Sequence, residues 1–154
     1  MWTVKPRTPR VRPSLHSLGA SVTAAETATG VVLDASAVLA MLFEEPGGER
    51  VAEAFADAAI SAVNLAEVLG RLARDGVPED RLATIEARLR RRLRVVDFGA
   101  GLAGAAARLA IGRAGLSLGD RACIATAQWL GLPALTAERM RAPLGPGVEV
   151  RLIR

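Results

Sequence analysis

From residue 31 onward, short apolar segments alternate with longer segments of helical periodicity, and this alternation constrains the fold more than any other feature. Val31–Leu33 is an apolar triplet of the kind that forms a strand buried on both faces. Further strand candidates lie at 59–62, 94–98, 133–135 and 148–153. Helical segments separate them, which is typical of parallel strands with helices on both faces. We therefore predict an α/β fold, a three-layer, doubly wound parallel sheet of about five strands.

The helices of this fold can be placed from their apolar spacing and their end signals. Pro78 opens one of them at its first turn, where the missing N–H has no partner to lose. An apolar stripe at helical spacing then continues to Leu93. The complete set of predicted helices is 35–43, 49–57, 64–74, a helix from 78, 100–113, 120–130 and a short helix from 137.

Residues 1–30 form a leader that differs from the rest of the chain. Pro6, Pro9 and Pro13 interrupt any helix, and the leader holds four of the 20 basic residues but only one of the 16 acidic ones. It lacks the apolar stretch of a signal peptide. A disordered arm, a nucleic-acid-binding tail and a start codon placed too far upstream are its three interpretations, and the abrupt onset of the pattern at Val31 favours the third. The folded domain is predicted at 31–154.

The composition disfavours several classes of protein. No apolar run approaches the roughly 20 residues that cross a bilayer, so a soluble protein without a membrane partner is expected. Cys123 is the only cysteine, which excludes an intrachain disulfide and fits a reducing cytoplasm. His16 is the only histidine and lies in the leader, which disfavours catalytic triads and zinc hydrolases. Chemistry in this chain must depend mainly on carboxylates, hydroxyls, arginines and bound metal.

Three acidic residues are predicted at one rim of the sheet. In open parallel sheets, ligands bind outside the carboxyl ends of the strands. Asp34 directly follows the first strand, and Glu67 and Asp120 lie in the first turns of helices that begin near strand ends. Carboxylates brought together repel one another unless a cation lies between them. Since Mg²⁺ and Mn²⁺ take oxygen ligands and activate water without a histidine, we predict a divalent-metal site at this rim.

Each of these acids also has an ordinary structural interpretation. Asp34 has the position of a helix N-cap. The segments 64–67 and 117–120 both have the spacing of a capping box, and Thr136 is placed to cap the short helix that follows it. Taken one at a time, the acids are explained as cap residues. Their shared rim is the observation that favours a metal site.

Four stretches of the sequence resemble PIN-domain ribonucleases, in the order and with the separations of that family. VVLDASAVLA at 31–40 resembles the opening strand, and AVNLAEV at 62–68 resembles the second acidic segment. LSLGDRACIATA at 116–127 is the most specific match, and LGLPALTAER at 130–139 resembles the closing segment. The resemblance covers nearly all of 31–154 and is strongest to the VapC-type toxins of toxin–antitoxin pairs.

The resemblance implies hydrolysis of RNA phosphodiester bonds with Mg²⁺ or Mn²⁺ as cofactor, a partner antitoxin that occludes the site, and a homodimer. By motif position it implies that Asp34, Glu67 and Asp120 are the catalytic metal ligands. It further implies that Ser36 orients the carboxylate of Asp34 or a bound water, and that Thr136 has a similar orienting role.

One position departs from the pattern of that family. Glu138 lies where the closing motif usually has an aspartate, and Arg141 replaces the tryptophan that often follows. Because glutamate is longer by a methylene, Glu138 is predicted to reach a second metal or to bind it through water. Metal geometry is sensitive to such a change, so this residue is the weakest of the four metal ligands.

Several other residues have more than one interpretation. Arg121, beside the third acid, is a candidate contact for a substrate phosphate, a solvated helix residue or an ion-pair partner. Asp97 either faces the same rim or caps the next helix. The arginines between 88 and 94 fit RNA binding, the helix macrodipole or a protein contact. Cys123 is predicted in the core, and Trp129 in the core or an interface.

Two other functions are compatible with parts of this pattern. A haloacid-dehalogenase-type phosphatase also has an aspartate after its first strand. It needs a second aspartate where this chain has Ser36, and a downstream lysine, whereas Lys5 in the leader is the only lysine here. A binding module that keeps the fold without catalysis is the second alternative, and Glu138 is the feature that supports it.

Overall fold

Five parallel strands form one sheet in the part of the chain that the structure, a computed structural model, describes: residues 30–111, 115–138 and 147–154. The strands are β1 (Val31–Leu33), β2 (Ala58–Ser61), β3 (Arg94–Val96), β4 (Ala134–Thr136) and β5 (Val150–Leu152). Their order is β3-β2-β1-β4-β5, and every neighbouring pair is parallel. The predicted α/β fold with a five-stranded parallel sheet is confirmed. The leader lies outside the described residues except for Gly30.

The helices alternate with these strands. They are α1 (Ala35–Leu42), α2 (Gly48–Ala54), α3 (Ala62–Arg74), α4 (Glu79–Arg92), α5 (Ala100–Arg108) and α6 (Leu118–Leu130). A short 3₁₀ turn at Phe55–Asp57 replaces the predicted end of α2, and α5 ends at Arg108 rather than at 113. Ala137 and Glu138 form a bend, and the remainder of the predicted short helix lies outside the described residues.

The sheet is covered on both faces, because alternate residues of a strand point to opposite sides. Val31 and Leu33 pack with α1 to α4 in one core cluster, whereas Val32 packs against α6 in another. Cys123 belongs to that second cluster and is fully buried, as predicted. Trp129 is 64% exposed, so it does not lie in the core, and the interface alternative stays a prediction. The predicted three layers are confirmed.

The topology creates a crevice at the carboxyl ends of the central strands. After β1 the chain passes through α1 and α2 to β2, which pairs with one edge of β1. The other edge of β1 pairs with β4. Ligand sites in doubly wound sheets lie at such a switch point. Leu33 is in register with Leu135, so the residues that follow, Asp34 and Thr136, emerge side by side. None of the helices in the described ranges is long and apolar enough to cross a membrane.

Candidate metal centre

Asp34 is fixed in place by three other side chains. It is the N-cap of α1, where its Oδ2 accepts hydrogen bonds from the backbone N–H of Ser36 at 3.3 Å and from the Ser36 hydroxyl at 2.6 Å. The Thr136 hydroxyl donates to the same oxygen at 3.1 Å, and the Asn64 amide donates to Oδ1 at 3.2 Å. The side chain is buried. Asp34 is therefore a helix cap, as its position predicts, and its second oxygen faces α3.

The two hydroxyls beside Asp34 connect β4 to α1. Ser36 Oγ and Thr136 Oγ1 lie 3.0 Å apart, and Ser36 Oγ also accepts from the backbone N–H of Ala137 at 3.1 Å. Thr136 Oγ1 accepts from the backbone N–H of Glu138 at 3.2 Å. This chain of hydrogen bonds ties the carboxylate of Asp34 to the backbone that carries Glu138. Ser36 and Thr136 thus lie where they can orient the first acid.

Asn64 is a member of this cluster that sequence reasoning assigned to a different role. The interpretation of 64–67 as a capping box is wrong, because α3 begins at Ala62 with Ser61 as its N-cap. Asn64 is fully buried, and its Nδ2 lies 3.2 Å from Asp34 Oδ1, 3.1 Å from Glu67 Oε2 and 3.1 Å from the carbonyl oxygen of Gly119. One amide thereby joins two acids and the first turn of α6. The sequence feature that could have identified Asn64 is its spacing, because it lies one helical turn before Glu67.

Asp120 is held by its own helix. Ser117 is the N-cap of α6, and its Oγ accepts from the backbone N–H of Asp120 at 3.0 Å. The Asp120 Oδ2 accepts in return from the backbone N–H of Ser117 at 2.7 Å. The capping box predicted at 117–120 is confirmed, and it leaves Oδ1 of Asp120 available for another partner.

The start of α6 packs closely on Glu67. A Cβ atom at Gly119 would collide with the Glu67 carboxylate, so a larger residue cannot lie there without displacing it. Burial raises the pKa of Glu67, and the negative charges of Asp34, Asp120 and Glu138 raise it further, while the hydrogen bond from Asn64 opposes the shift. The four predicted metal ligands are therefore close enough to repel one another.

The same four acids line one cavity of about 370 Å³. Within the described ranges, no three acidic, histidine or cysteine side chains already stand in a geometry that would hold a metal ion. The donors nevertheless fit Mg²⁺ or Mn²⁺, because they are carboxylate oxygens whose repulsion a cation would relieve. Asp34 and Glu67 in particular share the Asn64 amide as a common neighbour, which holds both of them at the crevice.

Two predicted residues lie elsewhere, and two arginines were missed. Arg121 is not among the residues that line this cavity, and its Nε donates to the carbonyl oxygen of Ser117 at 3.2 Å. Asp97 lines a different pocket and is not the N-cap of α5, which is Gly99. Arg71 and Arg74 line the acidic cavity instead. Both follow Glu67 at helical spacing on α3, a periodicity that would have identified them.

A doubly wound parallel sheet with an acid-lined cavity at its switch point defines the class of this protein. The family model of the PIN domain matches residues 31–140. The chain therefore belongs to the PIN domain family, as its motifs indicate.

Solved structures with a similar fold include complexes of toxins with antitoxins. A toxin–antitoxin complex from Klebsiella pneumoniae matches with a TM-score of 0.63 and 20% identity, over 77% of this chain and 95% of that one. DNA-bound VapBC from Salmonella typhimurium matches with a TM-score of 0.61 and 22% identity, over 81% of this chain and 98% of that one. VapC20 from Mycobacterium tuberculosis, described as a toxin that cleaves the sarcin–ricin loop, matches with a TM-score of 0.57 and 20% identity, over 68% and 87%. No curated protein sequence matches this chain.

Proposed function

We propose that this protein is a metal-dependent endoribonuclease that hydrolyses RNA phosphodiester bonds and acts as the toxin of a toxin–antitoxin pair. The observation that carries the proposal is the convergence of Asp34, Glu67, Asp120 and Glu138 on one cavity at the switch point of a PIN-domain sheet. The fold-level similarity to a sarcin–ricin-loop-cleaving toxin supports RNA as the substrate.

Asp34, Glu67 and Asp120 are the proposed ligands of Mg²⁺ or Mn²⁺. A divalent ion at this position would lower the pKa of a bound water and neutralise charge on the phosphoryl group. The protein contributes fixed carboxylates: Asp34 is immobilised by three side chains, and Glu67 by the Asn64 amide. Ser36 and Thr136 keep the Asp34 carboxylate in one orientation. Glu138 lines the same cavity, where its longer side chain would bind a second ion directly or through water.

The antitoxin is the proposed protein partner, since the similar structures include toxin–antitoxin complexes from Klebsiella pneumoniae and Salmonella typhimurium. A segment that occupies the acidic cavity would need a basic side chain to pair with these carboxylates. The homodimer and the cytoplasmic location implied by the family resemblance stay predictions.

The test is cleavage of a fluorescently labelled single-stranded RNA by the purified protein. We expect cleavage with Mn²⁺ or Mg²⁺, complete loss in EDTA, and recovery when metal is returned in excess. Asp120→Asn is expected to lower the cleavage rate by more than about 100-fold. Loss of a residue that only supports a metal ligand can already cost about 100-fold, and Asp120 is proposed to be a ligand itself.

Asp97→Asn is the matched control, because it neutralises an acid that follows β3 but lies outside the acidic cavity. Its rate should equal that of the wild type. Wild-type cleavage by Asp120→Asn, or cleavage in EDTA, would contradict the proposed site. A protein that binds RNA and metal but never cleaves would instead be the non-catalytic binding module. Melting curves with and without Mn²⁺ measure metal binding independently of activity, since a ligand of the native state raises its melting temperature.

A further inference from the structure

The acidic cavity continues beyond its four carboxylates. A smaller cavity of about 170 Å³ adjoins it, and Phe43, Glu45 and Arg154 lie among the residues that line this second space. The two cavities have four lining residues in common: Ser36, Leu39, Arg71 and Glu138. A continuous groove therefore leads from the acids, past Arg71, to Phe43 and Arg154. We call this extension the arginine groove and define it by Arg71, Arg154 and Phe43.

The arginines of the groove hold their present partners weakly. Arg71 Nε donates to both carboxylate oxygens of Asp75, at 3.1 and 2.9 Å, and Arg154 donates to Glu45 at 3.0 Å. Both ion pairs are exposed, with side-chain exposures of 52% and 39% for the first and 44% and 45% for the second. Exposed pairs of this kind contribute little to stability, because solvent screens them. A phosphate, which guanidinium groups bind with good geometry, can therefore take the place of either carboxylate.

Phe43 gives the groove an aromatic surface. It lies at the end of α1 and remains 42% exposed, so part of its ring is available to a ligand. Base–aromatic stacking of this kind is used by proteins that bind single strands, since every base has a flat face. A base inside a duplex is already stacked on its neighbours and cannot use such a surface. Phe43 therefore favours an unpaired strand.

We propose that the arginine groove binds the unpaired RNA strand next to the cleaved phosphodiester, with backbone phosphates on Arg71 and Arg154 and one base on Phe43. This inference rests on the proposed ribonuclease function and names its substrate as single-stranded at this point. Four carboxylates exceed the charge of one divalent cation, and Arg71 and Arg74 are the basic residues that offset the excess among the described residues lining this cavity. Phosphates of the strand are therefore repelled by the carboxylates and attracted to the part of the cavity where these arginines lie. The strand consequently leaves the metal centre on the side where the arginines lie.

The first test is binding of a labelled single-stranded RNA in EDTA, measured by fluorescence anisotropy at several salt concentrations. Arg71→Gln and Arg154→Gln should each weaken binding about threefold to tenfold and lower the slope of log affinity against log salt by roughly 0.7, the value for one phosphate contact on a single strand. The matched control is Arg151→Gln. It removes an exposed arginine that is ion-paired with a glutamate, at a site outside the groove.

The second test concerns the aromatic residue. Phe43→Ala should weaken binding of the single strand about tenfold, as expected for loss of one base stack. It should leave binding of a fully paired duplex unchanged. Trp129→Ala is the control, since Trp129 is a more exposed aromatic residue that lines a different pocket. Melting curves of all variants separate a loss of binding from a loss of folding.

The outcomes distinguish this inference from the function on which it rests. If the wild type cleaves RNA but the groove variants bind no worse than their controls, the groove assignment is wrong and the ribonuclease assignment stands. Equal weakening by Arg71→Gln, Arg154→Gln and the control Arg151→Gln means diffuse attraction and also overturns the groove assignment. If the wild type neither binds nor cleaves RNA, both proposals fail together.

Discussion

The two sides of the acidic cavity are held by different parts of the molecule. On one side, Asp34 is buried and accepts hydrogen bonds from α1, α3 and the end of β4. On the other side, Ser117, the N-cap three residues before Asp120, is the only hydrogen-bond partner of the Asp120 side chain among the residues that the structure describes. The position of Asp34 thus depends on the tertiary fold, whereas that of Asp120 depends on one helix start. Disturbances on the Asp34 side should therefore affect both stability and metal binding, and those on the Asp120 side should stay local.

The largest expected effect comes from Asn64→Asp, which adds a buried carboxylate between two existing ones. Burial and its negative neighbours would raise the pKa of this new acid. Unfolding free energy without metal should fall by about 3 kcal/mol at pH 8, as expected for an uncompensated buried charge. Because an acid with a raised pKa is neutral at low pH, the loss should shrink as the pH falls toward 5. Urea unfolding at both pH values measures it.

Asn64→Leu is the control for this variant. It removes the same hydrogen bonds without adding charge, so its loss of stability should vary with pH less than that of Asn64→Asp. A smaller variation remains, because the hydrogen bond from Asn64 that lowers the pKa of Glu67 is lost. Excess Mn²⁺ should restore more of the stability of Asn64→Asp than of Asn64→Leu. Equal stability of Asn64→Asp and the wild type at pH 8 in EDTA would mean that the acids do not form one electrostatic unit.

The contrast between residues held by the tertiary fold and residues held by local contacts explains how much of the site was predictable from the sequence. Asp34 and Asp120 could be located because each is a local feature: an acid after an apolar strand, and a serine–aspartate capping box. The five strands could be located because their apolar runs are bounded by helical periodicity. Asn64 could have been placed beside Glu67 from its spacing, but its contacts with Asp34 and Gly119 could not be predicted, because those residues are distant in the chain. For Trp129 the core and an interface could not be distinguished, because apolar character does not specify which face of a helix is covered.

Smaller losses of stability are expected from two single variants, each of which removes one hydroxyl group, one on the Asp34 side and one on the Asp120 side of the cavity. Thr136→Val keeps the shape of a fully buried side chain but deletes its donor to Asp34. We expect a loss of about 1 kcal/mol in unfolding free energy, and metal affinity or cleavage lower by about 10- to 100-fold, as for other residues behind a metal ligand. Calorimetric Mn²⁺ titration and the cleavage assay measure the two losses.

Ser117→Ala is the counterpart on the Asp120 side. It should cost a similar amount of stability, about 1 kcal/mol, because it removes a helix N-cap. Its metal affinity should change less than that of Thr136→Val, since the backbone N–H of Ser117 still donates to Asp120. If Ser117→Ala lost as much metal affinity as Thr136→Val, the distinction between a tertiary side and a local side would be wrong.

The smallest effect concerns Glu67, which connects the two sides through Asn64 and Gly119. Its pKa is raised from 4.5, first by burial and then by the charges of Asp34, Asp120 and Glu138. The folded, metal-free protein therefore binds this proton more tightly than the unfolded chain does, so the contribution of Glu67 to stability is complete below 4.5 and is lost as the pH rises through the raised value. Mn²⁺ requires the ionised form, so its affinity should rise over the same interval. Relative to Glu67→Gln, the melting temperature of the wild type should fall with rising pH in metal-free buffer and should rise with pH in excess Mn²⁺. Identical slopes of the two proteins in metal-free buffer would show that Glu67 ionises independently of the other acids.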